Sequence, residues 1–351
     1  MPGYYSGNYL CKSLVKAIPP SPLIKGGAEG GGIECVCIFN CRINTMATNL
    51  KENMKMIINN DNLSSLYKGF SAVFREAFAK AGSVYGRIAT EVPSTSRQEE
   101  YNWLGRVPRM REWIGERVIQ NLSAYSYTVN NLDWEATVAV DRNDIEDDAV
   151  GIYTPMVRAL AAAAATHPDE LVFDLLADGF VNHCYDARAF FDTAHPTGAG
   201  PAQSNKATAT LSSTSYAAAR SAMMSLVDER GRTLGVVPDL LMVPPQLEKA
   251  ALEILRADLT TDGSSNVYRN SADLVVSPYL SGSPTAWYLL DTSKAVKPFI
   301  FQRRKAPVFV SKDSPDDERV FTRKEYLYGV DSRDNAGYGL WQLAYGSDGT
   351  V

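Results

Sequence analysis

The strongest constraint on this chain is the stretch Asp144–Gly179, DIEDDAVGIYTPMVRALAAAAATHPDELVFDLLADG. Its acidic opening, Asp144, Glu146, Asp147 and Asp148, suits a solvated lead-in or a short first turn, where negative charge complements exposed N–H groups. Thr154 then reads as an N-cap and Pro155 as the first helical residue. Met156, Val157, Leu160, Ala161, Ala163 and Ala164 recur with a helical period and give one apolar face. Ala161–Ala165 combine high helix propensity with little bulk, so another backbone can come close. Thr166-His167-Pro168-Asp169-Glu170 reads as a restart, and Gly179 as a C-terminal stop. The stretch predicts a helix of roughly 24 residues, bent or broken near Pro168 and about 36 Å long. Such a helix serves as a spine on which strands are laid.

The chain has 351 residues, enough for two or three domains. Hydrophobic residues make up 45% and charged residues 21%, which supports a sizeable core and excludes wholesale disorder. A net charge of −5 excludes a dedicated phosphate-gripping nucleic-acid binder. No apolar run approaches the roughly 18 residues of a membrane span. Four of the five cysteines, Cys11, Cys35, Cys37 and Cys41, crowd the beginning, and only Cys184 lies beyond. Their spacing lacks the paired C-x2-C of a zinc site, and the remainder has no disulfide framework, which points to a reducing cytoplasmic origin.

Residues 1–45 are rich in Pro and Gly without periodicity, and a plausible start follows at Met46. We expect them to be an over-called translation start or a dispensable leader. Met46–Asp61 reads as a flexible arm, and Asn62–Gly82 as an amphipathic helix through Leu63, Leu66, Phe70, Val73, Ala77 and Ala81. Glu91–Asp141 reads as a long β-hairpin with polar faces. Tyr125, Tyr127 and Val129, then Trp134, Ala136, Val138 and Val140, alternate around an Asn130-Asn131 turn or bulge. An isolated ribbon is marginal in water, so it needs a surface to lie on, a neighbouring copy's included.

After the spine comes a Gly/Pro-rich loop, then a helix capped by Ser213 and running to Gly231. Leu240–Val243 reads as a buried strand, followed by Pro244-Pro245 and the helix Gln246–Ala257. Ala272–Val276, Ala286–Leu290, Phe299–Gln302, Val308–Val310 and Val320–Asp331 read as strands, and Asn335–Tyr345 as a glycine-spaced aromatic strand. The class is α+β.

Chemistry is sparse. The histidines are His167, His183 and His195. His183-Cys184 beside Asp186, and Asp192 with His195, can be drawn as a metal site or a Cys/His pair. The plainer reading makes Cys184 a small buried hydrophobe and places His167 and His195 in ordinary proline-flanked contexts. Asp141, Asp144, Glu146, Asp147 and Asp148 lack the order of a calcium loop and read as solvated surface. Arg303-Arg304-Lys305 has phosphate-binding residue types, but Asp313, Asp316, Asp317 and Glu318 balance it. No glycine-rich cofactor loop occurs. We therefore expect no catalytic, cofactor-binding or metal-ligating residue, and no cofactor.

Five segments carry a resemblance: Thr166–Phe180, Phe190–Pro196, Pro238–Leu255, Trp287–Gln302 and Arg323–Ser347. Through them, from about Met46 to Gly346, the chain resembles the Mu-like major head proteins, the gpT family of phage capsid subunits. The resemblance implies the HK97-like capsid fold. It implies an N-terminal arm and helix (46–90), an extended loop (91–143), a peripheral domain with the spine helix (144–204), an axial domain (205–295) and return strands of the peripheral domain (296–351). It further implies self-assembly into hexamers and pentamers of an icosahedral head in the virion, built in the bacterial host cytoplasm and enclosing dsDNA with weak non-specific contact. Scaffold and protease, portal and decoration proteins would be further partners, with no membrane. Some capsids of this fold weld neighbours through a lysine of the extended loop; here no lysine lies between Lys80 and Lys206, so non-covalent contacts are expected. Two alternatives stand beside this reading: an encapsulin-like compartment shell, and a metal-dependent enzyme using His183, Cys184 and His195.

Overall fold

The spine helix runs unbroken from Thr154 to Ala177. The computed structural model describes residues 57–104, 126–197, 200–228, 231–260 and 263–351. The expected leader 1–45, most of the arm and the ribbon's tip at 105–125 lie outside the described residues. Thr154 is not the N-cap. A 3-10 turn, Val150–Tyr153, leads straight into the helix, so Tyr153 occupies the cap position and makes no side-chain cap bond. Pro168 does not break the helix either. It is buried inside it; the carbonyl that loses its donor is that of Ala164, and in the preceding positions the Thr166 hydroxyl donates back to the carbonyls of Ala162 (3.1 Å) and Ala163 (3.4 Å). The helix ends at Asp178, and Gly179 sits in a further 3-10 turn with ordinary negative φ. What demands glycine there is proximity: a Cβ would stand 2.8 Å from the Phe191 ring.

In chain order, the helix Asn60–Lys80 is capped by Asn59, whose side chain accepts from the Asn62 amide. A short helix, Tyr85–Ile88, leads into β1 (Ala89–Pro93). Next come β2 (Gln98–Glu100), β3 (Thr128–Asn130) and β4 (Leu132–Asp141), the short helix Arg142–Glu146 capped by Asp141, and the spine. Beyond the spine lie β5 (His195–Thr197), β6 (Gly200–Gln203) and β7 (Lys206–Ala207). The helix Ser213–Met224 follows. Its cap is Ser212, in a reciprocal box with Ser215, one residue before the expected Ser213. Then come β8 (Leu240–Val243), the helix Glu248–Leu255, β9 (Asp273–Val276) and β10 (Trp287–Leu290). The chain closes through β11 (Phe299–Lys312), the helix Glu318–Arg323, β12 (Glu325–Tyr338) and β13 (Ala344–Ser347).

Two sheets flank the spine. One has the order β1-β11-β12-β4, with β1 parallel to β11 and the other pairs antiparallel. The second has the order β7-β13-β10-β8-β9. β11 joins two segments expected as separate strands. Its register slips between Arg303 and Val308, where Pro307 has no N–H to give the ladder. Val320 belongs to a helix rather than a strand, because Asp317 caps it by accepting from the Arg319 amide. The closing aromatic segment is not one strand. It leaves the first sheet after Tyr338, turns through a 3-10 helix at Trp341–Leu343 and enters the second sheet as β13.

The expected hairpin over Glu91–Asp141 also needs correction. Among the described residues of that stretch, only β2 and β3 pair with each other, over Gln98–Glu100 and Thr128–Asn130. β4 instead forms ten register pairs with β12 of the same chain, from Glu325↔Asp141 to Asp334↔Leu132. Asn131 marks where one continuous run of chain passes from the ribbon to the sheet. The alternation was real, but its apolar side, with Val140 fully buried, faces this chain's own spine and first helix.

Apolar residues gather into three clusters. One holds Val172, Phe173 and Leu176 of the spine with Phe190, Phe191, Tyr288, Phe299 and Phe301. A second centres on Tyr216, Leu241, Trp287 and Leu289. The third joins Leu63, Phe70 and Phe74 to Val157, Leu160, Tyr326 and Tyr328.

Candidate functional site

Among the described residues, two groups of buried polar side chains form connected networks. The first is the root of the ribbon. Gln302, in the first part of β11, is fully buried. Its Oε1 accepts from the Tyr101 hydroxyl (2.9 Å), and its Nε2 donates to Asn131 Oδ1 (2.8 Å) and the Val129 carbonyl (3.2 Å). Asn131 Nδ2 in turn donates to Ser94 Oγ and the Ser96 carbonyl, both at 2.8 Å. Glu99 closes the circuit, accepting from Ser94 Oγ (2.9 Å) and the Thr95 amide (2.8 Å). Those bonds, the Thr95 amide foremost, hold the Glu99 carboxyl below its ordinary range. Burial pushes the Tyr101 phenol up to about 12, keeping it a donor. The base of the ribbon is therefore clamped to the sheet by a satisfied polar network, while Tyr101, Leu104 and Val129 are buried beside it. Asp169 plays a similar part at the arm. This buried spine carboxylate accepts from Ser83 Oγ (3.0 Å), the Val84 amide (2.8 Å) and the Tyr85 amide (2.6 Å), joining the first helix's exit to β1.

The second place contains two of the three residues named for the enzyme alternative. Cys184, Asp186 and His195 lie with their ligand-type atoms within 4.8 Å of one another, the one such set among the described residues. His183 stays outside, exposed and bridged through its backbone to Ala189. His167 is elsewhere, against Trp134, with ring centroids 4.5 Å apart. His195 Nδ1 meets Asp186 Oδ2 at 2.6 Å, and its Nε2 meets Asn205 Oδ1 at 3.1 Å. Asn205 is oriented by Nδ2 bonds to the carbonyls of Phe190, Trp341 and Ala344, so its Oδ1 is an acceptor and His195 Nε2 carries a proton. Asp186 also accepts from the Cys184 thiol (3.1 Å) and the Arg188 amide (3.0 Å). Burial pushes the Asp186 carboxyl up, but the bonds from His195 and Cys184 outweigh it and hold it below its ordinary value. Burial, then the Asp186 charge, pushes the Cys184 thiol well up. The His195 ring lies flat on Trp341, centroids 3.9 Å apart at 8°.

Such a cluster works as a latch. A thiol held protonated is a poor nucleophile, and His195 is wholly buried. Tetrahedral ligands at ~2.0–2.1 Å from an ion stand ~3.3 Å apart, whereas Nδ1 and Oδ2 are at 2.6 Å, the distance of a charge-assisted hydrogen bond. The latch ties the loop after the spine to β13 and to the turn at Trp341. Sequence reasoning set Asp186 beside His183-Cys184 and His195 with Asp192; it missed the Asp186–His195 contact, and it missed Asn205, Gln302 and Asn131. In sequence terms Asn131 reads only as turn or bulge chemistry. The acidic run is partly engaged: Asp144 accepts from the Tyr153 hydroxyl (2.6 Å). In the basic run, Arg303 pairs with Glu91 and Lys305 with Asp331. No helix of the described residues is long and apolar enough to cross a membrane.

The described surface exposes large apolar side chains, among them Phe321 (91% exposed), Val267 (81%) and Val181 (74%). The outer edge of β4 has no neighbouring strand among the described residues. An open ten-residue edge and protruding apolar groups are features that association covers.

Comparison with known proteins matches this chain to a family. The family model described as Mu-like prophage major head subunit gpT matches residues 63–209, 202–280 and 281–351. The Mu-like prophage FluMu major head subunit of Haemophilus influenzae is 35% identical over 291 residues, 83% of this chain and 74% of that protein. The major capsid protein of Escherichia phage Mu is 33% identical over 296 residues, 84% of this chain and 76% of that protein. Among solved structures, a chain of the procapsid of bacteriophage JBD30 is 37% identical with a TM-score of 0.54, covering 83% of this chain and 76% of that one.

Proposed function

This chain belongs to the Mu-like prophage gpT family of major head subunits, and from that premise we propose that its copies tile, through non-covalent contacts, into hexamers and pentamers of an icosahedral head that encloses dsDNA. It is a major capsid protein with the HK97-like fold, and its place is the virion. Residues 46–90 serve as arm and first helix, and 144–204 with 296–351 as the peripheral domain around the spine. Residues 205–295 serve as the axial domain. The extended loop, 91–143, has a clamped root and a return strand, β4, shared with the peripheral sheet. The subunit acts by shape, with no catalytic step. Scaffold, protease, portal and decoration proteins are its further partners. A net charge of −5 suits a wall that contains DNA without gripping it.

The observation that carries this reading is the family match, which runs from residue 63 to residue 351 and so spans every layer of the fold. The clamped root supports it, because a neighbour can seat a ribbon only where its direction is fixed. The head subunit is favoured over both alternatives: the matched relatives are head proteins, and His183 stands apart from Cys184 and His195. Electron microscopy of the expressed chain, alone and with its neighbouring gene products, tests the reading. Closed shells are expected. Monomers alone under both conditions would overturn it.

A further inference from the structure

The spine and the edge strand β4 leave a cavity of about 160 Å³ between them. Ala163 and Ala164 form its floor, Trp134 and His167 its walls, and Glu135 and Glu170 its charged rim. The alanines that let another group come close are thus not used by this chain's own backbone at this point. Glu135 accepts only from the nearby Thr137 hydroxyl (2.7 Å), and neither glutamate has a cationic partner among the described residues. The nearby guanidinium of Arg333 pairs instead with Asp133 (3.3 Å).

A further carboxyl group lies behind the wall. Asp334 is 1% exposed, and its Oδ1 faces His167 Nε2 at 3.4 Å, neither atom having a hydrogen-bond partner. The indole N–H of Trp134 is occupied by the Asp334 carbonyl (3.2 Å), which holds that wall in place. An apolar floor with two aromatic walls and an unpaired acidic rim selects one kind of guest: a side chain with an aliphatic stem and a cationic head.

Resting on the head-subunit reading, we infer that this cavity receives an arginine from residues 105–125 of a second copy of the chain. Charge complementarity favours that segment. It carries Arg106, Arg109, Arg111 and Arg117 against Glu112 and Glu116, and no lysine. A guanidinium stacks on indole and imidazole faces while its fork meets carboxylates, which an ammonium does less well. Length allows it too: half of the 21 residues between Leu104 and Ser126 can span at most ~33 Å when extended, so a contact well away from the root is within reach.

The test uses the full chain, assembled with its gene neighbours. Glu170→Arg is placed on an exposed helix position, so folding is expected to be unaffected, as checked by the unfolding temperature. Its expected effect is a loss of at least about five-fold in shell yield, recovered when one of the four arginines is changed to Glu. In parallel, Ala163→Cys is combined in turn with cysteine at each of the four arginine positions. Oxidised shells are expected to give covalent multimers on non-reducing gels for at least one pair, with the parent chain as control. Shells of normal yield with Glu170→Arg, and no multimers from any pair, would overturn the inference and leave the head-subunit reading intact. A disulfide closed within single chains would also overturn it, by making the guest the chain's own segment. Absence of shells from the unaltered chain would instead remove the reading on which the inference rests.

Discussion

Changing Gln302 to Leu is the sharpest perturbation of the ribbon's root. The substitution nearly conserves volume and deletes three hydrogen bonds, to Tyr101, Val129 and Asn131. Each bond contributes about 0.5–1.5 kcal/mol net, and a buried partner left alone costs about 1–3 kcal/mol. Asn131 keeps its bonds to Ser94 and Ser96, so its loss is partial. The Val129 carbonyl and the Tyr101 hydroxyl are left without their Gln302 partner. The sum, offset by the apolar gain of leucine, is about 3–5 kcal/mol. For a chain of this size that lowers the unfolding temperature by about 4–7 °C. Tyr101→Phe removes one bond and should cost about 1–2 kcal/mol. Because both variants cut the same bond, the double variant should fall within about 1 kcal/mol of Gln302→Leu alone. The assay is thermal unfolding of unassembled subunits followed by circular dichroism, with shell yield measured on the same preparations. A shift under about 2 °C for Gln302→Leu, or strict additivity in the pair, would refute the claim that this network holds the root.

Three further outcomes follow from the described geometry. Gly346→Ala puts a Cβ 2.8 Å from Phe191, so overpacking should cost about 1–3 kcal/mol; Phe191→Leu in the same chain should recover part of it, and an unchanged unfolding temperature in the single variant would count against the packing argument. Asp186 has a folded value below its ordinary one, so its contribution is present above the unfolded carboxyl's value near ~4 and is lost as pH falls through the folded value. Asp186→Asn should therefore lower stability at pH 7 and flatten the acid decline below pH ~4, whereas parallel stability curves for the two proteins would show that the carboxylate contributes nothing. Cys184, buried and with its thiol pushed up, should resist iodoacetamide at pH 8 until denaturant is added; peptide mass spectrometry showing full alkylation of the folded chain would contradict the latch.

The spine was legible because it is long and strongly periodic, and its 24 residues match the span read from Thr154 onward. Leu240–Val243 was legible because four consecutive apolar residues between turn signals leave little choice, and all four are buried. What failed was non-local. Nothing within Ala89–Pro93 announces a parallel partner at Phe299–Arg303. Alternation in Leu132–Asp141 reports a two-faced strand but not the strand beside it, so β4 read equally well as a hairpin arm. Val320 and Phe321 have β-forming side chains, yet the Asp317 cap decides for a helix. The latch was half legible. Asp186 and His195 are nine residues apart, and the chain turns back between them at Ala187, where φ is +62°. Asn205 enters from the far side of a loop, and only tertiary structure could bring it in.

The pairing of β1 and β4 with β11 and β12 sets a timetable for synthesis. A ribosome that has released the chain only as far as Leu290 has made both outer strands and neither of the inner ones. Gln302, which fastens the ribbon, emerges later still. An unfinished polypeptide thus has no platform from which to offer its ribbon to finished molecules, and a premature stop ahead of Glu325 yields a fragment whose β4 lacks its mate. Strand order alone thus withholds a complete four-stranded sheet from any chain that stops short of Glu325.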